Sequence, residues 1–259
     1  MKFLFIVQGE GRGHFTQAIT LEEMLLRNGH EVVEVLVGKS STRTLPGFFN
    51  RSIHAPVKRF ISPNFLPTAD NKRANLTKSF AYNLLRLPEY LRSMYYINQR
   101  IRETGAEVVI NFYELLTGLT YALFRPSVPY ICVGHQYLFL HRDFEFPDKN
   151  SCQLWMLRFF TRMTALRSSK KLALSFLEME QDDMNQIVTV PPLIRQEVTA
   201  IRPEKGDYIH GYMVNSGFAD SVESFHAKHP EVPLTFFWDR SDAEEVTRID
   251  ETLSFHQID

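Results

Sequence analysis

Only two cysteines, Cys132 and Cys152, occur in 259 residues, with no CxxC and no histidine at metal-ligand spacing beside either. That scarcity argues against a disulfide scaffold and against a cysteine zinc site, and suits reduced thiols in a cytoplasmic protein. No apolar run approaches the roughly 18 residues that a membrane span requires. The stretch behind Met1 and Lys2, Phe3 to Val7, is too short for a secretory signal and leads to no small-residue cleavage site. Neither sign of charge prevails: 29 Lys and Arg stand against 30 Asp and Glu, which gives no overall pull toward nucleic acid. Asp-x-Asp is absent, so the carboxylate pair that commonly holds a metal on a diphosphate is not expected. His226 and His229 stand three apart without the glutamate of HExxH, and no metal is expected there either. Internal repeats and low-complexity tracts are absent too.

What is present is a 44% hydrophobic composition, ample for a core, arranged as short β-branched runs alternating with amphipathic segments. The runs lie at 2–7, 31–37, 55–61, 106–113, 128–134 and 171–176. Helical stripes lie at 16–28, closed by Gly29, at 75–103 with a break at Pro88, and at 151–168. This alternation predicts an α/β fold with a mostly parallel sheet over 1–190. Residues 191–206, rich in proline and without a helical stripe, read as an interdomain connection. The pattern restarts at 207–259 with strands at 207–214, 233–238 and 251–257 and helices at 219–228 and 243–248. Three strands and two helices leave a parallel sheet uncovered, so this second domain is expected to be incomplete at Asp259.

Between the first strand and the first helix stand Gly9, Gly11 and Gly13, followed at once by His14. Glycines there let the backbone approach a ligand while the helix N-terminus points at it, which suits an anionic or oxygen-rich guest. Neither Lys-Ser nor Lys-Thr follows the glycines of this loop, so it is not the phosphate loop of a nucleoside triphosphatase. GxGxG in place of GxGxxG, with Val37 and Gly38 where an acidic residue would hold a ribose, argues against a dinucleotide.

Residues 9–38, GEGRGHFTQAITLEEMLLRNGHEVVEVLVG, resemble the opening of the GT-B glycosyltransferases, especially the lipid-linked N-acetylglucosamine transferases of bacterial wall synthesis. Gly9, Gly11, Gly13 and His14 match that group's loop, and Arg27, Gly29, His30, Glu31 and Val32 match its second signature. The resemblance implies two Rossmann-like domains facing across a cleft, the acceptor on the first and the nucleotide-sugar on the second. It also implies a nucleotide-diphospho-sugar substrate, most often UDP-linked, and no separate cofactor. The family's donor signature has no counterpart before Asp259, so catalysis by this chain alone is not expected.

In the resembling enzymes a histidine at the position of His14 serves as base or as a donor to the diphosphate, and imidazole titrates in the right range for the former. Gly9, Gly11 and Gly13 supply backbone donors and room, and Arg12 is placed to meet phosphate or sugar. Ligands of α/β sheets bind beyond the carboxyl ends of strands, which adds Asn111, Tyr113 and Glu114 after the fourth run and Gly134, His135 and Gln136 after the fifth. Glu114 is a second candidate base, or a favourable charge at the start of a helix. Metal-independent, inverting transfer to an acceptor hydroxyl is the expectation, with leaving-group charge met by helix N-termini and basic side chains. The alternatives are a nucleotide-sugar epimerase of the same architecture and a non-catalytic carbohydrate-binding or partner-binding protein. Residues 71–103 hold seven basic against two acidic side chains, and 158–171 hold five basic and no acidic ones, interleaved with aromatics. Such helices suit peripheral contact with the inner face of an anionic membrane, or a solvated face over a core stripe.

Overall fold

In the computed structural model the apolar run behind Met1 becomes β1, Lys2–Gln8, in which Leu4 to Val7 are fully buried. The structure describes residues 1–39, 45–64, 66, 76–146, 152–213, 216–240 and 243–258. Lys72, Arg73, Asn75, Ser151, Val214 and Asp259, which carry sequence expectations, lie outside them. A strand buried on both faces needs helices on both, and the chain provides them in sequence. α1 (Arg12–Arg27), β2 (Glu31–Lys39), α2 (Gly47–Ser52) and β3 (Val57–Ile61) come first. α3 (Leu76–Leu85), α4 (Leu87–Glu103), β4 (Val108–Phe112), α5 (Leu115–Phe124) and β5 (Tyr130–Val133) follow. A 3-10 turn, His135–Leu140, leads to α6 (Cys152–Thr164), β6 (Lys170–Leu174), β7 (Ile187–Val190) and α7 (Gln196–Ala200).

β1 to β7 form one parallel sheet in the order β3-β2-β1-β4-β5-β6-β7. The chain winds outward from β1 in one direction and resumes at β4 in the other, so the order reverses between β1 and β4. Phe15, Ala18 and Ile19 of α1 and Phe49 of α2 cover one face of the sheet. Tyr90, Met94, Ile97 and Ile101 of α4, with Leu116 and Tyr121 of α5, cover the other. Each such side chain, removed from water, contributes about 1.5–3 kcal/mol against the entropy of ordering it.

The six runs expected as strands are strands, within two residues at most boundaries. β7 is an addition that the prolines behind it hide in the sequence. The break in the long helical stretch falls at Arg86, two residues before Pro88. Pro88 occupies the first turn of α4, where a missing N–H breaks no helical hydrogen bond. α7 lies within 191–206, where the sequence shows no helical stripe.

The chain divides into two compact units, Met1–Asn64 with Leu85–Ile201, and Phe65–Leu84 with Arg202–Asp259. The second holds β8 (Ile209–Met213), a 3-10 turn at Ser216–Phe218, α8 (Ala219–His226), β9 (Leu234–Trp238), β10 (Val246–Arg248) and β11 (Leu253–Gln257). β8, β9 and β11 pair in parallel, and β10 pairs antiparallel with β11. The helix expected at 243–248 is therefore a correction: Val246 and Thr247 are β-branched, and an available edge on β11 outweighs the weak local stripe.

Of the basic side chains in 71–103, two are already spent inside the first unit. Arg100 grips the buried Glu34 through Nε and Nη2 at 2.8 and 2.9 Å, where Lys58 also reaches it at 2.7 Å, and Arg86 pairs with Glu89 at 2.6 Å. No helix among the described residues is long and apolar enough to cross a membrane.

Candidate active site at the switch of the parallel sheet

β1 ends at Gln8, and the chain turns through Gly9 to Gly11 into α1. The Gly9 N–H donates to the Gly38 carbonyl at 2.6 Å, and a Cβ at Gly9 would lie 2.4 Å from that oxygen, so only glycine fits. At Gly13 a Cβ would meet nothing within 4 Å among the described residues. One glycine thus seats the loop, and the other is not needed for close packing against the described residues. Gly11 caps α1 with no side chain, and no acidic residue stands in the helix's first turn. The first N–H groups of an α-helix have no partner within it, and they and the positive end of its dipole suit an acceptor of hydrogen bonds. Arg12, the first helical residue, holds its guanidinium 5.9 Å from the Phe48 ring centroid.

His14 lies within the first turn of α1, 7% exposed. Its ring stacks on Tyr113 at 5.8 Å and on His135 at 6.5 Å, while its Nε2 lies 3.4 Å from Gln136 Nε2. The four side chains come from the ends of β1, β4 and β5, on the two sides of the point where strand order reverses. That crevice is where open α/β sheets bind ligands. Burial, and next the neighbouring His135, lower the His14 pKa to about 4, so the ring is neutral at ordinary pH. Gln17 opposes that shift, although neither its Oε1 nor His14 Nδ1 has a hydrogen-bond partner among the described residues. His135 is exposed and is also pushed down, by burial of part of its ring.

Tyr113 takes φ 60°, a left-handed conformation that costs a non-glycine residue about 1–3 kcal/mol. It swings the ring under His14 and sends the hydroxyl to Thr161 at 2.8 Å. Asn111 is turned inward: its amide donates to the Glu114 and Thr164 carbonyls at 3.2 and 2.9 Å and its oxygen accepts from the Glu114 N–H at 2.9 Å. Every polar group of its side chain is thus engaged with the backbone. Gly134 ends β5 and precedes the turn that carries His135 and Gln136.

Glu114 is wholly buried and caps α5, accepting from the Leu116 N–H at 3.0 Å and from the Ser62 hydroxyl at 2.6 Å through Oε1. Its Oε2 has no partner among the described residues. A Cβ at Gly38 would lie 2.3 Å from that oxygen, so β2 is glycine where it crosses the carboxyl group. Burial raises the Glu114 pKa to about 7 against the pull of those hydrogen bonds. Ser62 and Gly38 carry no motif in the sequence, and only their contacts reveal them. Among the described residues no group of three or more His, Cys, Asp or Glu is placed to hold a metal ion.

Solved structures with the same fold are numerous. UGT89C1 of Arabidopsis thaliana, in complex with UDP-L-rhamnose, superposes with a TM-score of 0.55 at 14% identity, over 99% of this chain and 69% of that one. S. aureus MnaA with UDP gives 0.53 at 12% identity, over 93% of this chain and 63% of that one. A UDP-N-acetylglucosamine 2-epimerase gives 0.52 at 10% identity, over 91% and 63%. At such identities the likeness is one of fold, here the GT-B fold. No curated protein sequence matches the chain. A family model does, over residues 1–250, through all of the seven-stranded sheet and into the second, and the chain therefore belongs to glycosyl transferase family 1.

Proposed function

We propose that the protein transfers a sugar from a nucleotide-diphospho-sugar, most simply a UDP-sugar, to an acceptor hydroxyl, without a metal and with inversion. The acceptor sits on the domain of residues 1–190 and the nucleotide-sugar on the domain that begins at 207, as the resemblance to the lipid-linked N-acetylglucosamine transferases implies. The observation that carries this reading is His14, a neutral buried imidazole at the uncapped start of α1, stacked between Tyr113 and His135. A neutral imidazole has a lone pair for the acceptor proton, and a well-placed general base contributes about 10²–10⁴ in rate. Direct inversion requires the acceptor oxygen to attack the anomeric carbon as the bond to the diphosphate breaks, its proton passing to His14. The leaving diphosphate takes the bonding electrons, and its charge is met by helix N-termini and basic side chains. Gly9, Gly11, Arg12 and Gly13 line the approach, and Tyr113, His135 and Gln136 hold the imidazole and the acceptor in place.

A second reading is kept because a 2-epimerase shares the fold. It predicts conversion of the donor with no acceptor present. The test is nucleotide release from a panel of UDP-, GDP- and dTDP-sugars by the protein read from the uninterrupted gene, with His14→Ala in parallel. Release from one donor, reduced about 10²-fold or more in the variant, supports transfer and identifies the sugar. No release from any donor by a folded protein moves the reading to a non-catalytic binding protein.

A further inference from the structure

His14, Gln17 and Ala18 fall on the buried face of α1, and residues three apart on a helix stand close enough for their side chains to touch. Gln17 is 9% exposed. Its Oε1 and His14 Nδ1 are both buried, and neither has a hydrogen-bond partner in place among the described residues. Leaving an amide oxygen and a ring nitrogen both unpaired in the interior costs more than pairing them, so two such atoms on one helix face point to each other. The surroundings offer Nδ1 nothing better. The titratable groups against the imidazole are Tyr113, from the end of β4, and His135, from the turn after β5. Tyr113 spends its hydroxyl on Thr161, and His135 stands ring to ring with the imidazole. The hydroxyls of Thr16 and Thr20, on the same helix, go to backbone carbonyls. Gln17 raises the His14 pKa through a side-chain hydrogen bond, which is the sign of an amide oxygen accepting from the ring and not of an amide N–H donating to it. At the other nitrogen, Gln136 presents its Nε2, a donor, 3.4 Å from His14 Nε2. Both glutamines therefore call for the same arrangement, a proton on Nδ1 and a lone pair on Nε2.

We propose that Gln17 is a positioning residue for His14: its Oε1 takes the imidazole Nδ1–H, fixes the ring in that tautomer and leaves Nε2, on the Gln136 side, with the lone pair that receives the acceptor proton. The tautomer of a histidine is set by the hydrogen bond that its other nitrogen makes. A carboxylate in place of Gln17 would also hold the proton on Nδ1, but it would favour the imidazolium, which has no lone pair to offer. An amide orients the ring and leaves it neutral. An acceptor hydroxyl arriving at Nε2 displaces the Gln136 amide. Its proton passes to Nε2, its oxygen keeps the electron pair for the anomeric carbon, and the Nδ1 proton stays with Gln17 throughout. The inference rests on the transferase reading for this consequence, but the tautomer itself does not require turnover.

The test is nitrogen NMR of the protein read from the uninterrupted gene with isotope-labelled histidine, the His14 signals being assigned by their loss in His14→Gln. At neutral pH the proton is expected on Nδ1, with Nε2 bare. In Gln17→Met, close in length and without an acceptor, the ratio of the Nδ1–H form to the Nε2–H form is expected to fall about tenfold or more. In Gln17→Glu the proton is expected to stay on Nδ1 while the titration midpoint of His14 rises from about 4 to about 6 or above, a charge effect that packing at position 17 would not produce. On whichever donor gives nucleotide release, Gln17→Met is expected to lower kcat about tenfold or more with KM changed less than about twofold. A proton on Nε2 in the unaltered protein overturns the proposal, and so does a tautomer ratio that Gln17→Met leaves unchanged. Should Gln17→Met fail to fold, Gln17→Glu decides, and an unmoved His14 midpoint there overturns the proposal. Nucleotide release from no donor, with the proton on Nδ1 and its dependence on Gln17 intact, would instead count against transfer and leave the pairing standing.

Discussion

His14 and Glu114 are both buried at the carboxyl edge of the sheet, and burial moves their pKa values in opposite directions, to about 4 and about 7. The two candidate bases therefore predict different pH profiles. If His14 takes the proton, kcat/KM should fall on the acid side with a midpoint near pH 4, since that ratio reports the free enzyme. A midpoint near pH 7 would shift the role to Glu114. An anionic substrate beside His14 favours the imidazolium, so the midpoint read from kcat should lie above that from kcat/KM. Stability separates the two residues further. Glu114 is raised in the folded state, so its contribution is fully present below its unfolded value of about 4.5 and is lost as pH rises through about 7. His14 is depressed, so its contribution is present above about 6.5 and is lost as pH falls toward about 4. Glu114→Gln keeps an oxygen for Ser62 and Leu116 and cannot ionise. It should leave the melting temperature nearly unchanged at pH 4 and raise it at pH 8.5, by the equivalent of up to about 3 kcal/mol. A variant destabilised equally at both pH values would show that the carboxyl group, not its neutral form, is what α5 requires.

The helices that carry these residues meet at close range, and α5 and α6 cross backbone against backbone at Gly118. A Cβ added at Gly118 of α5 would lie 2.1 Å from the Met163 carbonyl and 2.8 Å from the Thr164 carbonyl carbon, all backbone. Backbone atoms do not yield as side-chain ends do, so Gly118→Ala should cost about 1–3 kcal/mol, read as a lower urea midpoint with unchanged slope. It should also loosen the site, because Thr161 of α6 holds the Tyr113 hydroxyl and Asn111 is tied to the Thr164 carbonyl. A Gly118→Ala protein with wild-type stability would overturn this account of the crossing. Nothing in the sequence marks that glycine, since LLTGLTYALF is apolar on every side and gives no stripe to orient. The glycine loop and His14 were legible because a motif is local, and the strand-end rule brought in Tyr113, His135 and Gln136 once the runs were placed. Asn111 answers to the same rule yet turns inward, since the rule fixes the position of a residue and not the direction of its side chain. Gly38 under Glu114 needed the coordinates, because it depends on what the neighbouring strand brings opposite it.

At the scale of the molecule, the two units have separate cores of unequal size. The first buries side chains on both faces of a seven-stranded sheet. The second rests on Met213, Ala219, Leu234, Trp238, Leu253 and Phe255 around a four-stranded one. Burial scales with core size and the entropy of ordering scales with chain length, so the smaller unit has less in reserve. The two tryptophans make this measurable, one in each unit. Trp238 is 3% exposed and stacks on Phe255 at 4.4 Å, whereas Trp155 is 63% exposed on α6. In Trp155→Phe the only indole left is Trp238, and its emission reports the second unit. In urea that emission should shift red at a lower midpoint than the loss of helical dichroism, which comes mainly from α1, α4, α5 and α6 of the first unit. Coincident transitions would mean that the smaller core is stable only together with the larger, and that His14 and Trp238 belong to one cooperative structure. Separate transitions would make the second unit a module that unfolds while the sheet behind His14 stays folded.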